Sequence, residues 1–538
     1  MALPEGVTPE AFAKAIAAFQ DAIGVENVYI NEDDVALYRD AYSPAWGEDY
    51  ELTASAAVAP ASTEEVAKIV KIANEFLIPL FAISTGKNLG YGGSSPNMIG
   101  SVICDLKRMN QVLEVDDVRN FCVVEPGVSY FDMYDYITTN NKKVIVDCPD
   151  PGWGSLIGNA LERGVGYMLP MYRDHWNAHC GLEAVLPSGE ILRTGMFAVE
   201  GSETYGENKY GFGPMVDGLF SQGNFGIVTK MAFWMMPMPE HHLSGLVRVY
   251  KYEDLTALIE ECNYLEDMGI GGHIRWGTPL ALPANNIDPE LAAIHQQPGN
   301  GTVEQFQAYA DKKGVEFFNV TLNFWGSRET CMAQWTYAQQ RLSRIAGATF
   351  EIHNDVDYPM TEEKLKTVRH HVSVGVPEMS IFSLGIRSDL LPTPSDGHMW
   401  FSPVIPRNAE GLMKAQKVFA QAFKDMGMPS PIGPFTTPRT WIYRSFVMVL
   451  AMGISRTDPE KNKQNIAAFR KLVEIGAEHG WVEYRTAPLF HDQVSKTFNF
   501  NDGILKKVQN TLKDAMDPNG IIAPGRGGVW PARLREGK

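Results

Sequence analysis

The sequence has 538 residues, 45% hydrophobic and 21% charged, with a formal net charge of −17. That length calls for two or three domains, and the acidic balance argues against nucleic acid or an anionic membrane as a partner. No apolar run reaches the ~18–20 residues of a membrane span, and Met1–Glu5 lacks the basic region and apolar core of a secretory signal.

Taken in order, Ser62-Thr63-Glu64-Glu65 reads as a capping box opening a helix, with Val66, Ile69, Val70, Ala73 and Phe76 on its apolar face. Pro79–Ile83 follows as a short strand. It runs into Ser84-Thr85-Gly86-Lys87-Asn88-Leu89-Gly90-Tyr91-Gly92-Gly93, whose glycines let backbone approach a ligand and aim N–H groups at an anion. On its own such a loop is more often a tight turn than a phosphate cradle, and it matches neither the Walker pattern nor G-x-G-x-x-G. Strands are expected at Ser101–Leu106, Phe121–Glu125 and Val144–Asp147, and a helix over Ser129–Thr138. Two further glycine-bearing stretches follow, Gly152–Asn159 at a helix start and Ser221–Val228 entering a strand. Several such loops in one region suggest an extended anionic cofactor lying across it.

Met235–Pro239 (M-M-P-M-P) breaks the pattern and marks a boundary. Beyond it, helices at Glu253–Leu265, Ser327–Ile345, Ala409–Met426 and Pro459–His479 alternate with strands at Phe317–Phe324, Met399–Ile405 and Trp441–Met452. Asn285–Gly301 reads as irregular. The fold class is α+β in two regions. The six cysteines, Cys104, Cys122, Cys148, Cys180, Cys262 and Cys331, show no C-x-x-C spacing and read as reduced, mostly buried thiols of a cytoplasmic protein. His175 and His179 with Cys180 carry little weight as a zinc site, so no metal is expected, and His241-His242 and His370-His371 are expected to be solvated.

The motifs S-T-G-K-N-L-G-Y-G-G, Glu125-Pro126-Gly127-Val128, Gly154–Tyr167, Gln222–Val228 and Asp517–Arg526 (D-P-N-G-I-I-A-P-G-R) together resemble the vanillyl-alcohol oxidase and para-cresol methylhydroxylase flavoproteins, nearest the bacterial eugenol oxidases. The match runs to about Glu240 and again from Trp481 to Arg533. The resemblance implies an FAD-binding domain built from residues 1–238 and 481–538, with a cap over 239–480. Ser84, Thr85, Gly86, Lys87, Asn88, Leu89, Pro126, Gly154, Ser155, Gly158, Asn159, Gly226, Ile227 and Val228 then contact FAD, and Arg526 neutralises the flavin's N1–C2 carbonyl edge.

His398 stands in D-G-H-M-W-F-S-P, and alternation puts it on one strand face with Trp400 and Ser402. The residues alone favour a packed strand histidine; the resemblance implies covalent attachment of the flavin there. It also assigns Tyr91, Tyr484 and Arg485 to binding a phenolate, and Asp150 to base catalysis, although an aspartate before such a turn equally suits a helix N-cap. The implied reaction is oxidation of para-alkyl, para-allyl or benzylic-alcohol phenols, with O2 as electron acceptor or, alternatively, a cytochrome c, in a homodimer or larger assembly. The sequence departs from the family at Thr440–Tyr443 and Ile381–Ser383, where a Met-His-His element and a glutamate are usual. A differently shaped pocket for the para substituent is the expectation.

Overall fold

The computed structural model describes residues 2–281, 288–380, 396–442 and 444–537. Short strands β1 (Val28–Tyr29), β2 (Ala56–Val58), β3 (Leu80–Ile83) and β4 (Val102–Asp105) form a sheet in the order β1-β2-β4-β3, with β4 parallel to both β2 and β3. Parallel strands need crossover connections, and the helix Thr63–Phe76 carries the chain from β2 to β3 on the far side of β4. Ser62 caps that helix by accepting from Glu65 N, as its sequence predicts. The other arm of the expected box differs: Glu65 Oε2 accepts from Ala61 N at 2.7 Å, one residue further back.

A second, antiparallel sheet follows, built of β5 (Val112–Asp116), β6 (Phe121–Val124), β8 (His179–Val185), β9 (Ile191–Arg193) and β10 (Ile227–Trp234) in the order β5-β6-β10-β8-β9. The expected strand at Val144–Asp147 is shorter, β7 (Val144–Ile145). It pairs with β11 (Met236–Pro237), so the M-M-P-M-P break contains a two-residue strand, too short for its proline to cost a ladder bond.

Next comes the four-stranded antiparallel sheet of β12 (His241–Val249), β13 (Arg275–Gly277), β14 (Phe318–Gly326) and β15 (Thr349–Asp357), in the order β13-β14-β12-β15. The helices Asp254–Asp267 and Arg328–Leu342 pack on it, and Leu243, Val247, Phe324 and Trp335 belong to one continuous core. His241 and His242 are buried here, contrary to expectation. β12 is the strand between β14 and β15, and both its faces are covered. His241 Nδ1 lies 2.6 Å from Asp357, and His242 Nε2 lies 3.3 Å from Asn323.

The irregular reading of Asn285–Gly301 also needs correction, since Pro289–His295 is a helix capped by Asp288. The two long strands expected later are each broken. β16 (Gly397–Phe401) pairs with β19 (Leu450–Ile454), and β17 (Val404–Ile405) with β18 (Phe446–Val447). The expectations placed on Ile381–Ser383 and on Tyr443 lie outside the described residues.

After the helix Pro459–Glu478 the chain returns to the first sheet. Leu80 N donates to Ile521 O and Ala523 N donates to Leu80 O, both at 2.7 Å, so residues 521–523 lie beside β3. Lys513 locks this return. Its ammonium, fully buried, donates to Asp517 Oδ2 and Ile522 O at 2.7 Å and to Asn224 O at 2.5 Å. Lys513→Met leaves the Asp517 carboxylate buried without its partner, and is expected to lower unfolding free energy by about 3–5 kcal/mol in urea denaturation.

Candidate active site

The glycine loop of residues 84–93 lies where three parts of the chain meet, and two of its glycines show why it must be glycine-rich. Gly90 has φ +79°, and a Cβ there would sit 2.5 Å from the Trp400 ring and 3.1 Å from the His398 ring. Gly92 has φ +113°, and a Cβ would fall 2.5 Å from Pro488. No side chain fits either backbone conformation or either gap. The loop therefore presses against β16 on one side and against the returning C-terminal segment on the other. His398, Trp400 and Ser402 share a face as alternation predicts: the first two meet Gly90, while Ser402 Oγ lies 2.8 Å from the Tyr91 hydroxyl.

Every site residue picked out in the sequence lines one cavity of about 760 Å³. At one place in its wall the Arg485 guanidinium stands 3.9 Å from the centre of the Tyr91 ring and 5.5 Å from that of Tyr484. Burial raises the Tyr91 hydroxyl well above its ordinary range, with Tyr484 adding to the rise and Arg485 opposing it. Burial pulls Arg485 down, but Tyr484 and Tyr91 outweigh it and hold the guanidinium above its usual value. Arg485 Nη1 donates to Glu162 O at 3.3 Å, whereas its buried Nε has no hydrogen-bond partner among the described residues. A buried charged donor left over in a cavity wall calls for an acceptor inside the cavity.

Asp150 lines the same cavity, and its role as a helix cap is not borne out. The helix Leu156–Leu161 is capped by Ser155, whose Oγ accepts from Gly158 N. The Asp150 carboxylate instead accepts from the Tyr167 hydroxyl at 2.7 Å. Burial raises its pKa, against the Tyr167 hydrogen bond and the charges of Arg275 and Arg439, while Glu378 adds to the rise.

Sequence reasoning missed Arg275, Arg439, Glu378 and His370, which all line this cavity. They come from β13, from the segment before β18 and from the stretch 370–378, and no shared motif announces them. His370, expected to be solvated, is half-buried, with its ring 4.7 Å from that of Tyr167. Burial pushes it down to about 3, and lowers the neighbouring His273 well below its ordinary value, so both are neutral. Glu378, just upstream of Ile381–Ser383, also lines the cavity and accepts from Ser380 Oγ at 3.1 Å.

His398 is buried, its ring 5.0 Å from Tyr42 and 4.1 Å from Trp400. Arg526 is buried and ion-paired with Glu162, and burial lowers it to about 10. His175 and His179 have separate partners. His175 Nδ1 lies 2.6 Å from Asn159 Oδ1, while His179 Nε2 lies 3.3 Å from Asp217.

Much of the remaining wall is small-residue backbone from 84–93, 154–159 and 226–228, with Lys87 and Arg526 as its cations. That donor set suits a long, flat, anionic group such as FAD, with phosphates against backbone N–H groups and a ring system reaching His398.

Comparison with known proteins agrees. A sequence family described as FAD binding domain matches residues 54–195. The 4-cresol dehydrogenase [hydroxylating] flavoprotein subunit of Pseudomonas putida is 30% identical over 536 residues, 98% of this chain and 97% of that protein. The structure of 4-ethylphenol oxidase from Gulosibacter chungangensis in complex with isoeugenol superposes with a TM-score of 0.86 at 34% identity, covering 99% of this chain and 100% of that one. That of p-cresol methylhydroxylase with substrate bound gives 0.84 at 29% identity, covering 98% and 99%. The chain is therefore an FAD-dependent oxidoreductase that belongs to the vanillyl-alcohol oxidase and para-cresol methylhydroxylase family.

Proposed function

We propose that the protein oxidises para-substituted phenols at the first carbon of the para side chain. The observation that carries this reading is the grouping of Tyr91, Tyr484 and Arg485, with Arg485 Nε unspent, in the cavity that Asp150 and His398 also line. Arg485 supplies a permanent positive charge, and the two tyrosine hydroxyls supply donors, for an oxygen that gains negative charge. A phenol held there ionises readily, and its ring electrons weaken the para-side C–H bond. FAD, when bound, supplies the acceptor for the hydride that leaves this carbon. The substrate is left as a para-quinone methide, or as a carbonyl compound where the side chain was an alcohol.

Asp150, fixed by Tyr167, is the group available to take a proton from water adding to the quinone methide. Residues 1–238 and 481–538 hold the cofactor, and 239–480 close over its reacting edge. His398 is the point of covalent attachment. On this reading, acid-precipitated protein stays yellow, while His398→Ala protein releases its colour into the supernatant.

Electrons pass onward to O2, giving hydrogen peroxide. Relatives in this family include both an oxidase and a dehydrogenase, so the acceptor is tested directly. Anaerobic mixing with a para-alkylphenol should bleach the flavin, and admitting air should restore the colour with one peroxide formed per flavin. Bleaching reversed only by a cytochrome c would assign the enzyme as a dehydrogenase, and no bleaching by any para-substituted phenol would remove the proposal.

A further inference from the structure

The same cavity carries two guanidiniums that the phenol chemistry leaves unused. Arg439 Nη1 donates to the Trp276 carbonyl and to Thr437 Oγ1, both at 3.2 Å and both uncharged. Arg275 opens β13, within electrostatic reach of Arg439 and of Asp150. Among the described residues neither guanidinium has a carboxylate within 4 Å. The Asp150 carboxylate accepts from Tyr167 and Glu378 accepts from Ser380, so Asp150 acts on the two guanidiniums through space without bridging to either. The neighbouring imidazoles of His273 and His370 add no negative charge.

Beyond this end the space continues. A second cavity of about 360 Å³ shares Arg275, Trp276 and His370 with the first and is lined further by Asn319, Asn323 and Arg369. Both guanidiniums act on Asp150, the group placed at the reacting para carbon, whereas Arg485 is coupled to Tyr91 and Tyr484. The wall on the Asp150 side is therefore cationic, with Ile274 and Trp276 also lining the cavity. An alkyl or allyl group placed there would keep the Arg439 guanidinium from water and give it nothing in return, while Arg275, exposed, stays solvated. A carboxylate would pair with them, and the fork of Arg439 is the geometry that receives one.

Resting on the phenol reading above, we infer that the substrate is a phenol whose para side chain carries a carboxylate, bound by Arg439 and Arg275. Tyr91, Tyr484 and Arg485 hold its ring hydroxyl at the other end.

Anaerobic titration of the holoenzyme with 3-(4-hydroxyphenyl)propanoate, and with 4-propylphenol as its uncharged counterpart, gives a Kd and a flavin-reduction rate for each. The carboxylate is expected to bind roughly ten- to a hundredfold more tightly. Arg439→Met should cancel that preference, and Arg439→Lys, which keeps the charge, should retain part of it. Equal affinities in the unmodified enzyme, or a preference for 4-propylphenol, would overturn the inference. So would an Arg439→Met enzyme that weakens both compounds alike. Should neither these two compounds nor any other para-substituted phenol bleach the flavin, the phenol chemistry falls. The anion site is then decided by calorimetric Kd values for the same two compounds, with and without Arg439→Met: a charge preference lost in the variant sustains it, and no preference rejects it.

Discussion

Arg485→Met is expected to slow flavin reduction by a para-alkylphenol about a hundred- to a thousandfold, the usual effect of removing a donor aimed at developing negative charge. The guanidinium lies against the Tyr91 and Tyr484 rings and is held in its charged form by both. Without it, burial leaves the Tyr91 hydroxyl even harder to ionise, and the phenol must lose its proton unaided. The variant's rate should then climb with pH toward the ordinary phenol pKa of about 10, where the parent enzyme shows a plateau. Stopped-flow measurement of flavin bleaching across pH reads both effects. A variant with the parent's rate and flat profile would falsify the phenolate site. Tyr484→Phe removes one donor and keeps the charge, so it should cost less.

Asp150→Asn is expected to lower turnover about a hundred- to ten-thousandfold while preserving shape and the contact with Tyr167. Its pH behaviour is a stricter test. Burial raises the Asp150 pKa above its ordinary value of 3.8, and a base acts only when deprotonated. Parent activity should therefore be full above that raised pKa and fall as pH drops through it. The asparagine variant should lack this limb. Stability moves the other way. A carboxyl whose pKa is higher in the fold than in the unfolded chain binds its proton more tightly when folded, so its ionisation at neutral pH works against folding. Asp150→Asn protein should melt no lower than the parent at pH 7. A variant both inactive and markedly less heat-stable would point to a structural role instead.

The parts of the cavity wall made by backbone were legible in the sequence. The loop at 84–93 needs glycine where strand and return segment crowd it, so its chemistry is written in consecutive letters. Tyr484 and Arg485 are adjacent and His398 sits in a strand of clear alternation, and these too were readable. Arg275, Arg439, Glu378 and His370 were not. Each comes from a different piece of backbone, and only tertiary packing brings them to one wall. His241 and His242 were misread for a related reason. A His-His pair looks solvent-facing until its strand is found between two others with both faces covered. The four helices expected in the second region were legible to within three residues at either end, because apolar periodicity is local, whereas Pro289–His295 and Val303–Lys313 were missed. Where Ser402 and Pro403 divide the strand Met399–Ile405, the warning was present in Pro403, which has no N–H for a ladder, and the expectation passed over it.

The pairing of Leu80 with residues 521–523 orders events in the cell. A ribosome must reach residues 521–523 before the edge beside β3 can be filled, and Asn224 waits just as long for its bonds to Ala523 and Val529. Flavin capture thus waits for this segment, and any fragment lacking residues 513–529 should emerge colourless.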